Sequence, residues 1–112
     1  MAEQVVLCRL EDIADPGSKG FAIDIGGEQR RFFIVRKGTR VFAYVNACPH
    51  RGTPLDWKPD SFLDIDRERI QCASHGALFR MEDGFCTAGP CAAKSLEPFP
   101  IDVVDGRIVI RP

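Results

Sequence analysis

The sequence predicts an all-β fold: an antiparallel β-sandwich or barrel base with a single inserted subdomain at about residues 47–90. Three observations carry that prediction. Short segments rich in β-branched and aromatic residues recur along the chain, turn residues punctuate them, and the last of them form a hairpin around Asp105-Gly106. At 112 residues the chain makes one domain, residues 1–112, large enough to bury a core yet too small for a second catalytic unit.

Taken in order, the strand segments are Val5–Leu10, Gly20–Ile25, Arg31–Val35 and Arg40–Val45. Pro16-Gly17, Gly26-Gly27 and Lys37-Gly38 separate them as turn signals. Beyond residue 68 come Arg69-Ile70-Gln71, Ala77–Arg80 and Gly84-Phe85-Cys86, the last two joined by a turn at Glu82-Asp83-Gly84. Ile101–Val104 and Arg107–Ile110 form the terminal hairpin, and no repeat, linker or low-complexity stretch interrupts the series.

Charge narrows the partners. The net charge is −1, split into +1 over residues 1–47 and −2 over 48–112, so nothing offers the basic footprint of a nucleic-acid binder. The start MAEQVVLCRLED lacks the basic opening and long apolar run of a signal peptide, and no stretch approaches the ~18–20 apolar residues of a membrane span. A cytoplasmic location is the expectation, with no nucleic acid and no membrane.

The chemistry is concentrated in two pairs: Cys48-Pro49-His50 and, after 21 intervening residues, Cys72-Ala73-Ser74-His75. Both histidines of the chain fall within three residues of a cysteine, and a glycine follows each pair closely, Gly52 and Gly76. Two such loops can close on one metal centre. Structural zinc uses this ligand count, but usually with like ligands together on one element. Here thiolate and imidazole are mixed within each loop, an arrangement suited to two irons, one taking both cysteines and the other both histidines. No catalytic constellation competes, for there is no spare histidine, no phosphate-cradling glycine motif and no two-histidine, one-carboxylate set.

The strings CPHRGTPL (48–55) and CASHGALF (72–79), followed by Asp83-Gly84-Phe85-Cys86 and Gly89-Pro90-Cys91, resemble the two cluster loops and the proline loop of Rieske proteins, and the likeness continues through Leu96 and Pro98 to Val103–Gly106. The resemblance implies one [2Fe-2S] cluster per chain, Cys48 and Cys72 on the inner iron, and His50 and His75 on the outer iron near solvent. One departure is visible: the stretch between His50 and Cys72 is several residues longer than usual, with the surplus between Trp57 and Arg69. Pro90 is expected to cover the cluster, Pro49 to fix the local backbone, Gly52 and Gly76 to admit amides close to sulfides, and Leu55, Trp57 and Phe79 to collar the exposed histidines, with membership of the core as the alternative for Trp57.

An oxidised core of charge +2 with two thiolates and two neutral imidazoles is net zero and accepts an electron more readily than an all-thiolate site, which places the family at about −150 to +300 mV. High-potential members carry an extra cysteine in each loop and a serine after the second His-Gly; here those positions read Thr53, Ser74 and Ala77. Fewer donors toward the sulfurs predict the low end of the range. Of the remaining cysteines, Cys8 is expected as a small buried apolar residue, and Cys86 and Cys91 as thiols, close enough to pair in an oxidising compartment. The charged run Asp64–Arg69 reads as a solvated loop, or as a surface that steers a redox partner. The leading expectation is a soluble one-electron carrier between a reductase and a terminal, ring-hydroxylating oxygenase. A Rieske-like small subunit of an NAD(P)H-dependent nitrite reductase and a zinc-stapled interaction module are the alternatives.

Overall fold

The computed structural model describes residues 5–49, 54–56, 60–72, 76–89 and 94–111. Among them are nine strands in three antiparallel three-stranded sheets and a single turn of 3-10 helix at Leu10–Asp12. The strands are β1 (Val6–Arg9), β2 (Gly17–Ile25), β3 (Glu28–Lys37), β4 (Arg40–Val45), β5 (Arg69–Gln71), β6 (Leu78–Arg80), β7 (Cys86–Ala88), β8 (Ile101–Val104) and β9 (Arg107–Ile110). Strand order is β1-β9-β8 in the first sheet, β2-β3-β4 in the second and β5-β6-β7 in the third.

The second sheet is the middle layer. Along β3 successive side chains alternate faces, so Phe32 and Ile34 enter one core while Phe33 and Val35 enter another. The first core holds Ile13, Phe99, Ile101 and Ile108 against the β1-β9-β8 sheet. The second gathers Ile70, Phe79 and Cys86 of the β5-β6-β7 sheet. Burial on both faces explains the unbroken apolar run Phe32–Val35, where a one-sided strand would alternate. Each of these side chains contributes about 1.5–3 kcal/mol by leaving water.

Residues 94–99 stitch the layers together. Cys86 N donates to Lys94 O (2.8 Å) and Leu96 N to Gly84 O (2.9 Å), after which Val45 N donates to Glu97 O (2.8 Å) and Phe99 N to Ala43 O (2.9 Å). The segment thus borders the third sheet at its start and β4 at its end.

Several expectations shift. β2 begins at Gly17, through the position expected as a turn, because the Gly26-Gly27 hairpin sets a register that carries the ladder to Gly17↔Arg36. Pairing with β3 there overrides the poor strand propensity of Gly17, Ser18 and Gly20. β3 is longer than expected at both ends, and β7 is Cys86–Ala88 where Gly84–Cys86 was expected, since residues 81–83 complete the turn and Phe85 makes only an isolated bridge to Ser95. Cys8 is half-buried, packed at the margin of the first core; burial pushes its thiol up, with Asp12 adding to the effect.

From Asp60 onward the surplus segment is docked on the base. Ser18 Oγ donates to Asp60 O (2.6 Å) and accepts from Phe62 N (3.2 Å), while Gly20 N donates to Asp60 Oδ1 (2.8 Å). Phe62 stacks on Phe33 with ring centroids 4.3 Å apart, and a Cβ at Gly20 would come within 3.1 Å of the Phe62 ring. Residues 63–70 then turn back as a hairpin, with Leu63 bridged to Ile70 and Asp64 Oδ1 accepting from Glu68 N (3.0 Å) and Arg69 N (3.2 Å). Asp64 is therefore committed to the turn, leaving Asp66 and Glu68 as the acidic groups of the run whose carboxylates could face a partner.

Candidate metal centre

Cys72 directly follows β5 and is wholly buried. The β5–β6 ladder, with Ile70↔Phe79 and Gln71↔Leu78, makes residues 72–77 the connection of a hairpin. Its backbone is closed twice: Cys72 N donates to Ala77 O (2.9 Å), and Gly76 N donates to Cys72 O (2.9 Å). Gly76 adopts φ +68, a left-handed backbone that favours glycine. Its amide is spent on the Cys72 carbonyl.

Cys48 lies just after β4 and is 2% exposed. Ahead of it Asn46 N donates to Arg31 O (3.0 Å), tying the chain to β3. The Asn46 side chain reaches across to the far end of the loop, where Oδ1 accepts from Leu55 N (2.8 Å) and Nδ2 donates to Asp56 Oδ1 (3.1 Å).

The two thiols share the second core with Leu55, Phe79, Met81, Ala77 and Leu96. Leu55 and Phe79 are fully buried, so they belong to the wall beneath the loops and form no exposed collar. Cys86 lies in the same core, its Sγ donating to Ala88 O (3.2 Å). The third loop comes close as well: at Gly89, with φ +96, a Cβ would approach Ala77 Cα to 2.8 Å. Tyr44 braces this region from behind, its hydroxyl donating to Met81 O (2.5 Å).

His50, His75, Trp57, Gly52, Thr53, Ser74, Pro90 and Cys91 lie outside the described residues. Among the described residues no group of three or more His, Cys, Asp or Glu side chains is placed to hold a metal. The donor set nevertheless fits a [2Fe-2S] cluster. A thiolate in so apolar a core is costly unless cationic metal compensates it, and two sulfurs walled by Leu55, Phe79 and Leu96 meet that requirement on the dry side of a centre. Asn46, Asp56 and Tyr44 were not anticipated. An asparagine just ahead of a loop is a familiar backbone-capping choice, and that was the one available signal.

No helix among the described residues is long and apolar enough to cross a membrane. The family model of the Rieske [2Fe-2S] domain matches residues 3–104. No curated protein matches the chain. Solved structures do. The ferredoxin of carbazole 1,9a-dioxygenase from Nocardioides aromaticivorans IC177 is 24% identical over 99% of both chains, with a TM-score of 0.73. The Sphingomonas yanoikuyae B1 ferredoxin is 22% identical over 98% of this chain and 100% of its own, TM-score 0.70. A ferredoxin in a complex of reduced oxygenase and oxidised ferredoxin of carbazole 1,9a-dioxygenase is 22% identical over 93% of this chain and 97% of its own, TM-score 0.69. At these identities the likeness is one of fold. The match over residues 3–104 shows the family: the chain belongs to the Rieske [2Fe-2S] domain family, and its cofactor is one [2Fe-2S] cluster.

Proposed function

We propose that this Rieske-family chain is a one-electron carrier, with no substrate chemistry of its own, whose cluster is held by Cys48 and Cys72 on the inner iron and by His50 and His75 on the outer iron. Residues of about 47–90 form the subdomain that holds it. The carrier takes its electron from a reductase and delivers it to a terminal, ring-hydroxylating oxygenase or another redox-enzyme subunit, in the cytoplasm, where the buried thiol of Cys86 persists reduced.

The observation that carries the reading is the convergence of two buried cysteines, each at the foot of a separate loop, in one core. The whole-chain likeness to dioxygenase ferredoxins, one of them seen with its oxygenase, supports the choice of partner. When bound, the cluster takes up and releases a single electron at a potential raised by its two imidazole ligands. The residues around it do the rest. Leu55, Phe79, Met81 and Leu96 keep water from the sulfur side, and backbone hydrogen bonds at the end of a β-ladder fix Cys72 against Gly76 and Ala77.

The test is the visible and EPR spectrum of dithionite-reduced protein prepared anaerobically. A rhombic signal with an average g below that of all-thiolate clusters is expected, abolished by Cys48→Ser and by Cys72→Ser. Colourless protein with one zinc and no labile sulfide would overturn the assignment. A permanently associated large catalytic subunit would replace the mobile carrier by an enzyme component.

A further inference from the structure

Among the described residues the two ligand loops are bounded by different hydrogen bonds. Cys72, Gly76 and Ala77 are joined through their main chain at the end of the β5–β6 ladder. The first loop lies between β4, which ends at Val45, and residues 54–56, which belong to no strand. Its two ends meet through the carboxamide of Asn46, which accepts from Leu55 N (2.8 Å) and donates to Asp56 Oδ1 (3.1 Å), both part-buried. A backbone N–H can only donate and a carboxylate only accept, so the partners fix which way the planar amide points. The Asn46 backbone is itself anchored to Arg31 O at 3.0 Å. Beyond the clamp, Leu55 plugs the core that contains Cys48.

We propose that Asn46, with Asp56, is a positioning residue for the iron ligands of the first loop, so that cluster retention and reduction potential depend on a pair that touches neither iron nor sulfide. The inference rests on Cys48 and His50 as ligands. Loss of the clamp removes both side-chain hydrogen bonds that join Asn46 to Leu55 and Asp56, and outer-shell supports of this kind typically change metal affinity 10–100-fold.

The experiment compares N46A, N46D and the exchange N46D/D56N in intact holoprotein. N46A removes both hydrogen bonds. N46D keeps an acceptor for Leu55 N but sets two carboxylates against each other. The exchange restores one donor and one acceptor between the positions, together with the original net charge. Iron release to a chelator, the reduction potential and the EPR g-values are read alongside thermal unfolding. N46A and N46D are expected to release iron at least about 10-fold faster and to shift the potential and g-values, with the exchange returning all three toward those of the unaltered protein. An N46A that merely unfolds more readily, with unchanged potential and g-values and release within twofold, would overturn the proposal. So would an exchange that fails to recover them for any reason. A Rieske spectrum from the unaltered protein separates these outcomes from failure of the ligand assignment, since its absence would condemn that assignment first.

Discussion

Phe62 and Ile65 stand three residues apart in the surplus segment and should answer mutation in opposite ways. Phe62 is 1% exposed and stacked on Phe33 at 4.3 Å with an interplanar angle of 8°, whereas Ile65 is 96% exposed. Removing the Phe62 ring loses its burial and leaves a cavity beneath β2, where Gly20 has no side chain to fill it. Phe→Ala changes of this kind cost about 3–5 kcal/mol. At roughly 4 °C per kcal/mol for a domain of this size, F62A should lower Tm by about 12–20 °C. I65A should change stability by no more than about 0.5 kcal/mol. Thermal unfolding of the holoprotein, followed by far-ultraviolet circular dichroism, measures both. An F62A shift under about 4 °C, or an I65A shift as large as that of F62A, would refute the docking of this segment through its root.

Burial holds the Tyr44 phenol well above its ordinary pKa of 10.0, with Asp83 and Glu82 adding to the shift, so its contribution is complete below that value and is lost as pH climbs past it. Y44F should flatten the alkaline limb of a stability–pH curve while costing about 1–3 kcal/mol at pH 7, because the Met81 carbonyl loses its donor. Asp83 behaves in the opposite sense: the hydrogen bond from Arg80, then that from Phe85 N, holds its carboxyl below the usual range. Its contribution is present above about pH 4 and disappears as the solution is acidified further, so D83N and the unaltered protein should converge in Tm at low pH. The double charge reversal D66K/E68K, which spares the structural Asp64, should change the salt dependence of electron delivery; an unchanged slope in stopped-flow measurements would remove a steering role for this run. H75C, if it retains a cluster, should move the potential downward from the Rieske range toward the roughly −400 mV of all-thiolate ferredoxins, as read by redox titration.

What the sequence discloses here depends on how local the cause is. β4, β8 and β9 are found at the expected residues because their ends are set within a few positions: Asp105 and Gly106 both take positive φ, +52 and +75, as a two-residue hairpin turn requires. The start of β2 is set instead by register inherited across the Gly26-Gly27 hairpin, and nothing in Gly17 and Ser18 announces a strand. The surplus segment reads as solvated charge because its anchors are remote, Ser18 and Gly20 being 40 to 44 residues distant from Asp60 and Phe62.

The metal centre divides along the same line. Cys48 and Cys72 stand out as proposed ligands because such chemistry demands particular side chains at short spacings, and both lie in one core. The scaffolding of their loops is legible only where the backbone provides it. A ladder announces itself through the apolar residues Ile70 and Phe79 that flank the second loop, whereas at the first a carboxamide meets an amide nine positions on and a carboxylate ten positions on. A single asparagine carries no periodicity, so its partners emerge only once the chain has folded back on itself. Position 46 is nonetheless where a substitution should separate folding from redox function, because its hydrogen bonds are made to the ends of a loop and the apolar core beneath, from Phe33 to Leu96, is built without it.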